Sequence, residues 1–230
     1  MERPAGPARF GWGQFATLAA LLVCAGGMLA FAGLMDSALD GDTRDFDEGL
    51  LLALRRPGDP ADPIGPFWLE VMMRDFTALG SHAVLLLIGL VALGYILMLR
   101  KWFSALLLVL SFGGGMALNS LLKLGFDRPR PELVAHLVEV HTASFPSGHA
   151  MLSATCYLTL GTLLAGVTEA GRLKAYILGI AILLALLVGA SRIYLGVHWP
   201  TDVLAGWCLG AAWSMACWLV LRGWLAWRRR

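Results

Sequence analysis

Apolar residues along the chain gather in six long runs, at about 13–34, 82–99, 102–122, 149–168, 175–191 and 202–221. Each approaches the roughly 20 residues that a helix needs to cross a hydrocarbon core about 30 Å thick. The breaks between them are Arg100-Lys101, Lys123 to Ser147, Glu169 to Lys174, and Arg192 to Thr201. The stretch from 35 to 81 differs in kind: it is polar, rich in Asp and broken by Pro57-Gly58, Asp59-Pro60 and Asp62-Pro63. Helical spacing within it puts Phe46, Leu50, Ala53 and Leu54 on one face, with Asp45, Asp47 and Glu48 at the start and Arg55-Arg56 at the end, as the helix dipole favours. A second amphipathic stretch, Phe67 to Thr77, carries Trp68, Met72 and Phe76 at four-residue spacing. The pattern predicts an all-α integral-membrane bundle of six transmembrane helices with two short interfacial helices, in one domain over 1–230. A solvated connector over 35–81 is the plainer alternative.

Composition agrees with that class. Hydrophobic residues make up 58% of the 230 and charged residues 15%, against roughly 25% charged in an ordinary soluble domain. A soluble globule of this length could not hide so much apolar surface, and disorder, coiled coil and collagen are excluded by the same figures. Cys24, Cys156, Cys208 and Cys217 each lie inside an apolar run without a CxxC or metal-like spacing, so they read as small buried hydrophobes. Nucleic acid is not an expected partner, because basic residues form no stripe apart from Arg228 to Arg230.

Charge orients the bundle. The N-terminus, the 100–101 and 169–174 turns and the C-terminus carry ten basic and two acidic residues; the opposite loops carry eight basic and fourteen acidic. Positive-inside counting puts both termini in the cytoplasm and residues 35–81, 123–148 and 192–201 on the outer, periplasmic face. Arg3 and Arg9 before an apolar run ending in Ala30-Phe31-Ala32 allow a cleaved signal as an alternative, but the run is long for one, and a retained helix is expected. Either way the same loops face outward.

Charged groups at a bilayer are costly and therefore informative. Three clusters fall on the outer face: Lys123 with Arg130-Pro131; Pro146-Ser147-Gly148-His149; and Ser191-Arg192 with His198 and Asp202. Lys123, Arg130 and Arg192 are three cations suited to phosphate oxygens, two of them forked guanidiniums. Ser147 and Gly148 open a helix, whose N–H groups and positive end also favour an anion. Pro200 is well placed to start the last helix, bringing Asp202 within reach of His198 Nδ1 and leaving Nε2 free as a nucleophile. His149 then remains for the general acid. Singly, each residue is more often an interface or topology feature; in this order and spacing they form a constellation.

In these three clusters the sequence resembles the type 2 phosphatidic acid phosphatase (PAP2) superfamily, in its bacterial six-helix membrane branch. The signatures match without departure over about 119–202. The resemblance implies a metal-independent phosphohydrolase with no cofactor. His198 would become a phosphohistidine, Asp202 would orient it and His149 would protonate the leaving oxygen. Lys123, Arg130, Ser147, Gly148 and Arg192 would hold the phosphate. The expected partners are the bilayer and a membrane lipid phosphate, with undecaprenyl diphosphate ranked first and phosphatidylglycerophosphate, phosphatidate or lipid A 1-phosphate as alternatives. A non-catalytic lipid-binding scaffold and a transporter are the readings from other classes. The intact histidines and aspartate oppose the first, and the placing of the charges at helix ends rather than the midplane opposes the second.

The remaining polar residues are expected to be structural. Asp36, Asp40, Asp42, Asp45 and Asp47 lack the glycine and terminal Glu of a calcium loop and read as a solvated acidic face. His82, His136 and His141 read as interface or loop polarity. Asp127 and Arg128 sit inside the first cluster and either tune it or are merely solvated. Asn119, one turn before Lys123, is expected to hydrogen-bond within the bundle.

Overall fold

The computed structural model describes residues 12–140 and 142–228. Arg3, Arg9, His141, Arg229 and Arg230 lie outside the described residues. All six apolar runs are helices: α1 (Trp12–Asp40), α4 (His82–Met98), α5 (Trp102–Gly125), α6 (Gly148–Ala165), α7 (Gly171–Tyr194) and α8 (Pro200–Arg228). The intervening segment supplies α2 (Arg44–Ala53), strands β1 (Arg55–Arg56) and β2 (Asp59–Pro63), and α3 (Phe67–Ala78).

Four helices among the described residues, α1, α5, α7 and α8, are long and apolar enough to cross a membrane. A fifth span arises if α3 and α4, which meet at a 50° bend, count as one. All six expected runs are therefore helices, but two of them do not qualify as spans on their own: α4, which at 17 residues needs α3 to make the length, and α6. Of the two, α6 is the more telling exception. That helix is 18 residues long and mostly buried, packed against α4, α5, α7 and α8. A helix so largely enclosed by others faces little lipid, so it can carry polar groups that pair across the bundle. Thr155 Oγ1 donates to the Gly210 carbonyl at 3.3 Å, and Thr159 bonds to Ser214 at 2.9 Å. The outer helices look the opposite way, with Leu22, Leu29, Leu87 and Val91 all more than 60% exposed on the isolated chain. Apolar surface on that scale is what lipid covers.

Close approach of α6 and α8 is set by two glycines. A Cβ on Gly206 would stand 2.7 Å from the Ser147 carbonyl oxygen, and one on Gly210 would stand 2.3 Å from that of Met151. This small-xxx-small face lets the backbones touch. It brings the start of α6, with His149, beside the start of α8, with Asp202. Phe145 is fully buried beneath the same junction, stacked on Phe31 of α1 at 5.9 Å and edge-on to Phe126 at 5.6 Å.

The 35–81 segment departs from expectation at several points. Pro57-Gly58 turns a short antiparallel hairpin between β1 and β2, which the helical pattern did not predict. Phe46 and Leu50 point away from the bundle, at 54% and 38% exposure, while the buried face of α2 is Asp47 and Leu51. Arg55 is not a solvated helix-end cation. It is buried, and Nη1 donates to the Tyr194 carbonyl at 3.0 Å. Helix α3 packs on α7 and leads straight into α4.

Candidate active site

Every sequence-selected residue lies at one end of the bundle: the C-termini of α5 and α7, the N-termini of α6 and α8, and the loops joining them. Helix α7 ends just past Arg192, and Gly196, at φ +75°, reverses the chain so that His198 turns back over the helix ends. An L side chain is disfavoured in that conformation. Helix α8 then begins at Pro200, as its fixed φ and missing N–H favour, with Asp202 in the first turn.

His198 and Asp202 are both almost fully buried. Asp202 Oδ2 stands 3.5 Å from His198 Nδ1 and accepts from the Trp199 N–H at 3.0 Å and from the Ser144 hydroxyl. On the other side of the ring, Arg130 Nη1 lies 3.3 Å from Nε2. A guanidinium can only donate, so this contact favours the tautomer with its proton on Nδ1, facing Asp202, and its lone pair on Nε2. Burial pushes the imidazole down to about 4, partly offset by its bond to the Asp202 carboxylate, with Arg130 and Arg192 adding to the depression. The ring is therefore neutral, as a nucleophile must be. Burial also lowers the Arg130 guanidinium, against the pull of Asp202, yet an arginine remains charged.

The cations surround that ring. Lys123 Nζ donates to Thr142 Oγ1 at 2.7 Å, and Arg130 Nε donates to the Thr142 carbonyl at 2.8 Å, so one residue steadies both. Arg192 Nη1 donates to Thr77 Oγ1 at 2.8 Å, while its Nε is buried with no partner among the described residues. Ser147 is the N-cap of α6, its carbonyl accepting from the Met151 N–H at 3.0 Å, while its own N–H donates across to the Asp202 carbonyl of α8 at 3.0 Å. Its Oγ is likewise buried and unpaired. Gly148 packs against Asn119, whose amide oxygen lacks a partner among the described residues, so it does not accept the expected intrabundle bond there. His149 follows in the first turn of α6, half-buried against Gly80, on the side of Arg192 and Lys123. Three cations, a helix N-terminus and unpaired buried polar atoms thus converge around a neutral histidine. Such a set can neutralise a phosphoryl group and offer it a nucleophile.

Several participants were invisible in the motifs. Asp47 is the main correction: it is fully buried rather than part of a solvated face, whereas Asp36, Asp40, Asp42 and Asp45 are exposed. It accepts from Thr201 N at 2.9 Å and Thr201 Oγ1 at 2.7 Å, and pairs with Arg128 at 2.8 Å. Arg128 also pairs with Asp202 at 2.6 Å, which resolves its role away from solvation; Asp127 is exposed. Ser144, Thr142 and Thr77 are ordinary hydroxyl residues with no spacing signal. His136 bonds the Pro131 carbonyl and His82 is exposed at the start of α4.

The chain is similar to known proteins in sequence and in fold. Residues 104–225 match the family model described as the PAP2 superfamily. Phosphatidylglycerophosphatase B of Bacillus subtilis (strain 168) is 41% identical over 145 residues, covering 62% of this chain and 70% of that protein. An undecaprenyl-diphosphatase of Sulfolobus acidocaldarius is 48% identical over 68 residues, covering 30% of this chain and 29% of its own length. Among solved structures, the transmembrane PAP2-type phosphatidylglycerolphosphate phosphatase of Bacillus subtilis superposes with a TM-score of 0.69 at 29% identity, covering 91% of this chain and 96% of that one. The matched segment contains all three polar clusters and the helix ends that carry them, and the chain belongs to the PAP2 superfamily of phosphatases.

Proposed function

We propose that the chain hydrolyses a membrane lipid phosphate at the outer membrane surface through a covalent phosphohistidine. The observation that carries this reading is the polarity of His198: Asp202 behind Nδ1, and Arg130 beside Nε2 at 3.3 Å. Nε2 attacks phosphorus as the bond to the lipid oxygen breaks, and His149 gives that oxygen its proton. Water then attacks the phosphohistidine, His149 takes a proton from it, and inorganic phosphate leaves. Lys123, Arg130, Arg192 and the Ser147-Gly148 helix end hold the phosphoryl oxygens throughout. They act where charge develops, without reorganising. Because protein cations neutralise the charge, no metal or other cofactor has a place in this scheme.

The longer alignment and the fold-wide superposition both involve phosphatidylglycerophosphate phosphatases, which moves that lipid ahead of undecaprenyl diphosphate as substrate. Undecaprenyl diphosphate is kept as the second reading because of the shorter, more identical match. In the bilayer, α6 joins α1, α3–α4, α5, α7 and α8 to make six crossings, with both termini cytoplasmic and the site facing the periplasm or exterior. The test is phosphate release by purified protein, in EDTA, across a panel of both lipids, phosphatidate and lipid A 1-phosphate, with His198→Ala as control. Release from at least one lipid, abolished by His198→Ala, is expected; loss of activity in EDTA with recovery in magnesium would defeat the mechanism.

A further inference from the structure

Asp202 orients His198, but it is not alone. Its Oδ1 pairs with Arg128 at 2.6 Å, and an Asp–Arg pair carries no net charge. Taken by itself, that pair would be a poor counter-ion for a histidine ring that turns positive. The second guanidinium nitrogen of Arg128 reaches Asp47 on α2, 2.8 Å away. Asp47 is 1% exposed, Asp202 is fully buried and Arg128 is 11% exposed, so solvent screens this cluster little. Asp47 is further anchored by the Thr201 N–H and hydroxyl and by Thr43 at 3.1 Å. The three side chains together carry one net negative charge behind the imidazole.

We propose that Asp47 is a positioning and charge-balancing residue for the nucleophile, restoring through Arg128 the negative charge that Arg128 alone would cancel at Asp202. This inference rests on the nucleophile assignment made above. As the Nε2–P bond forms and the P–O bond to the lipid breaks, the ring keeps its Nδ1 proton and becomes a cation, while the leaving oxygen takes the His149 proton. The Asp47–Arg128–Asp202 cluster then faces one positive charge with one negative charge. The other ionisable groups around His198 are Lys123 from α5, Arg130 from the loop after α5, Arg192 from α7 and His149 from α6. The first three are cations that serve the phosphoryl oxygens and oppose a positive ring, so among the protein's own charges the negative one reaches the ring from the Asp202 side. A buried ion network of this kind is weak evidence for stability, which leaves room for a functional reason for its presence.

Three variants separate this role from mere structure by sign. Asp47→Asn keeps the acceptor for Thr201 N–H but leaves the cluster neutral. It is expected to lower kcat about tenfold or more with little change in KM, and to move the acid limb of kcat/KM to lower pH. Arg128→Gln leaves two negative charges behind the ring and is expected to move that limb to higher pH. Asp47→Asn combined with Arg128→Gln restores one negative charge, at Asp202, and is expected to recover most of the kcat lost by Asp47→Asn and a limb near the wild-type position. A double variant at least as impaired as Asp47→Asn, with single-variant limbs that do not move in opposite directions, would overturn the inference; so would single variants indistinguishable from wild type. Gel filtration in detergent and melting temperature of all three identify a variant that has not folded, and a double variant that melts lower than Asp47→Asn yet turns over faster supports the charge role most directly. Acid-labile label on His198 of the wild-type protein, quenched during turnover, separates the two readings. If label is present and rescue fails, the Asp47 role alone falls; if His198→Ala retains turnover, the nucleophile assignment falls and takes this role with it.

Discussion

At the scale of single residues, the two histidines differ in what surrounds them. His198 is enclosed, with a carboxylate at Nδ1 and a guanidinium at Nε2. His149 sits in the first turn of α6, half-buried, on the side of the converging cations. If His149 protonates the leaving oxygen, its importance scales with leaving-group basicity. His149→Ala is expected to cost on the order of 10²–10⁴ in rate on an alkyl phosphate lipid and clearly less on p-nitrophenyl phosphate. Equal losses on both substrates would assign His149 to holding phosphate instead. The depression of His198 to about 4 makes a second expectation. The neutral ring predominates above that value, so on the acid side the nucleophile is lost as pH falls through it, well below the ordinary histidine range. The acid limb of kcat/KM, corrected for the substrate's own ionisation near pH 6, is expected near pH 4. A limb between pH 6 and 7 would mean that a different group controls the nucleophile. Both histidines were recognisable in the sequence because their neighbours are close in the chain: Asp202 is four residues from His198, and His149 opens its own helix.

At the scale of elements, the site is a junction of helix ends, and the α6–α8 contact sets its spacing. Gly206 and Gly210 place the two backbones in contact beside Ser147 and Met151. A side chain at Gly210 would meet a backbone carbonyl and Ala154 Cβ, neither of which can swing aside. Gly210→Val is therefore expected to cost about 1–3 kcal/mol of stability, the usual range for overpacking, and to lower kcat by separating His149 from His198. A variant with wild-type melting temperature and activity would show that the interface is looser than its geometry indicates. The hydrophobic pattern located all six long helices and their polar ends, because a helix among lipid and other apolar helices leaves a long unbroken apolar run. It did not single out α6 as the enclosed helix. Enclosure shows only as a modest rise in Ser, Thr, Gly and Ala, which becomes meaningful once the neighbours are known.

At the scale of the whole molecule, the proposed orientation rests on charge outside the spans rather than on packing. Residues 35–66 pack on the site end, through Asp47 on Thr201 and Arg55 on Tyr194, so this segment and the active site share one face. The 166–170 turn and the end of α8 lie at the other ends of the same helices. With the four native cysteines removed, Asp59→Cys is expected to react with an impermeant thiol reagent on intact cells, and Arg172→Cys only after permeabilisation. Labelling of position 172 from outside would invert the orientation and the side on which substrate is met.

The chain by itself determined the membrane class, the six helical runs, the family and the three clusters of the site. Each of these is written in short-range spacing or in bulk composition, which survive without knowledge of the fold. Tertiary structure alone decided which acidic residue matters. Asp47 is one of five aspartates in a short polar stretch, and its partner Arg128 is 81 residues away. No local pattern distinguishes it from its exposed neighbours. Thr77 under Arg192, Thr142 between Lys123 and Arg130, and Ser144 on Asp202 are the same case. A hydroxyl carries no periodic or charge signal, and it acquires a role only when the fold sets it within hydrogen-bond distance of a buried charge that must be satisfied.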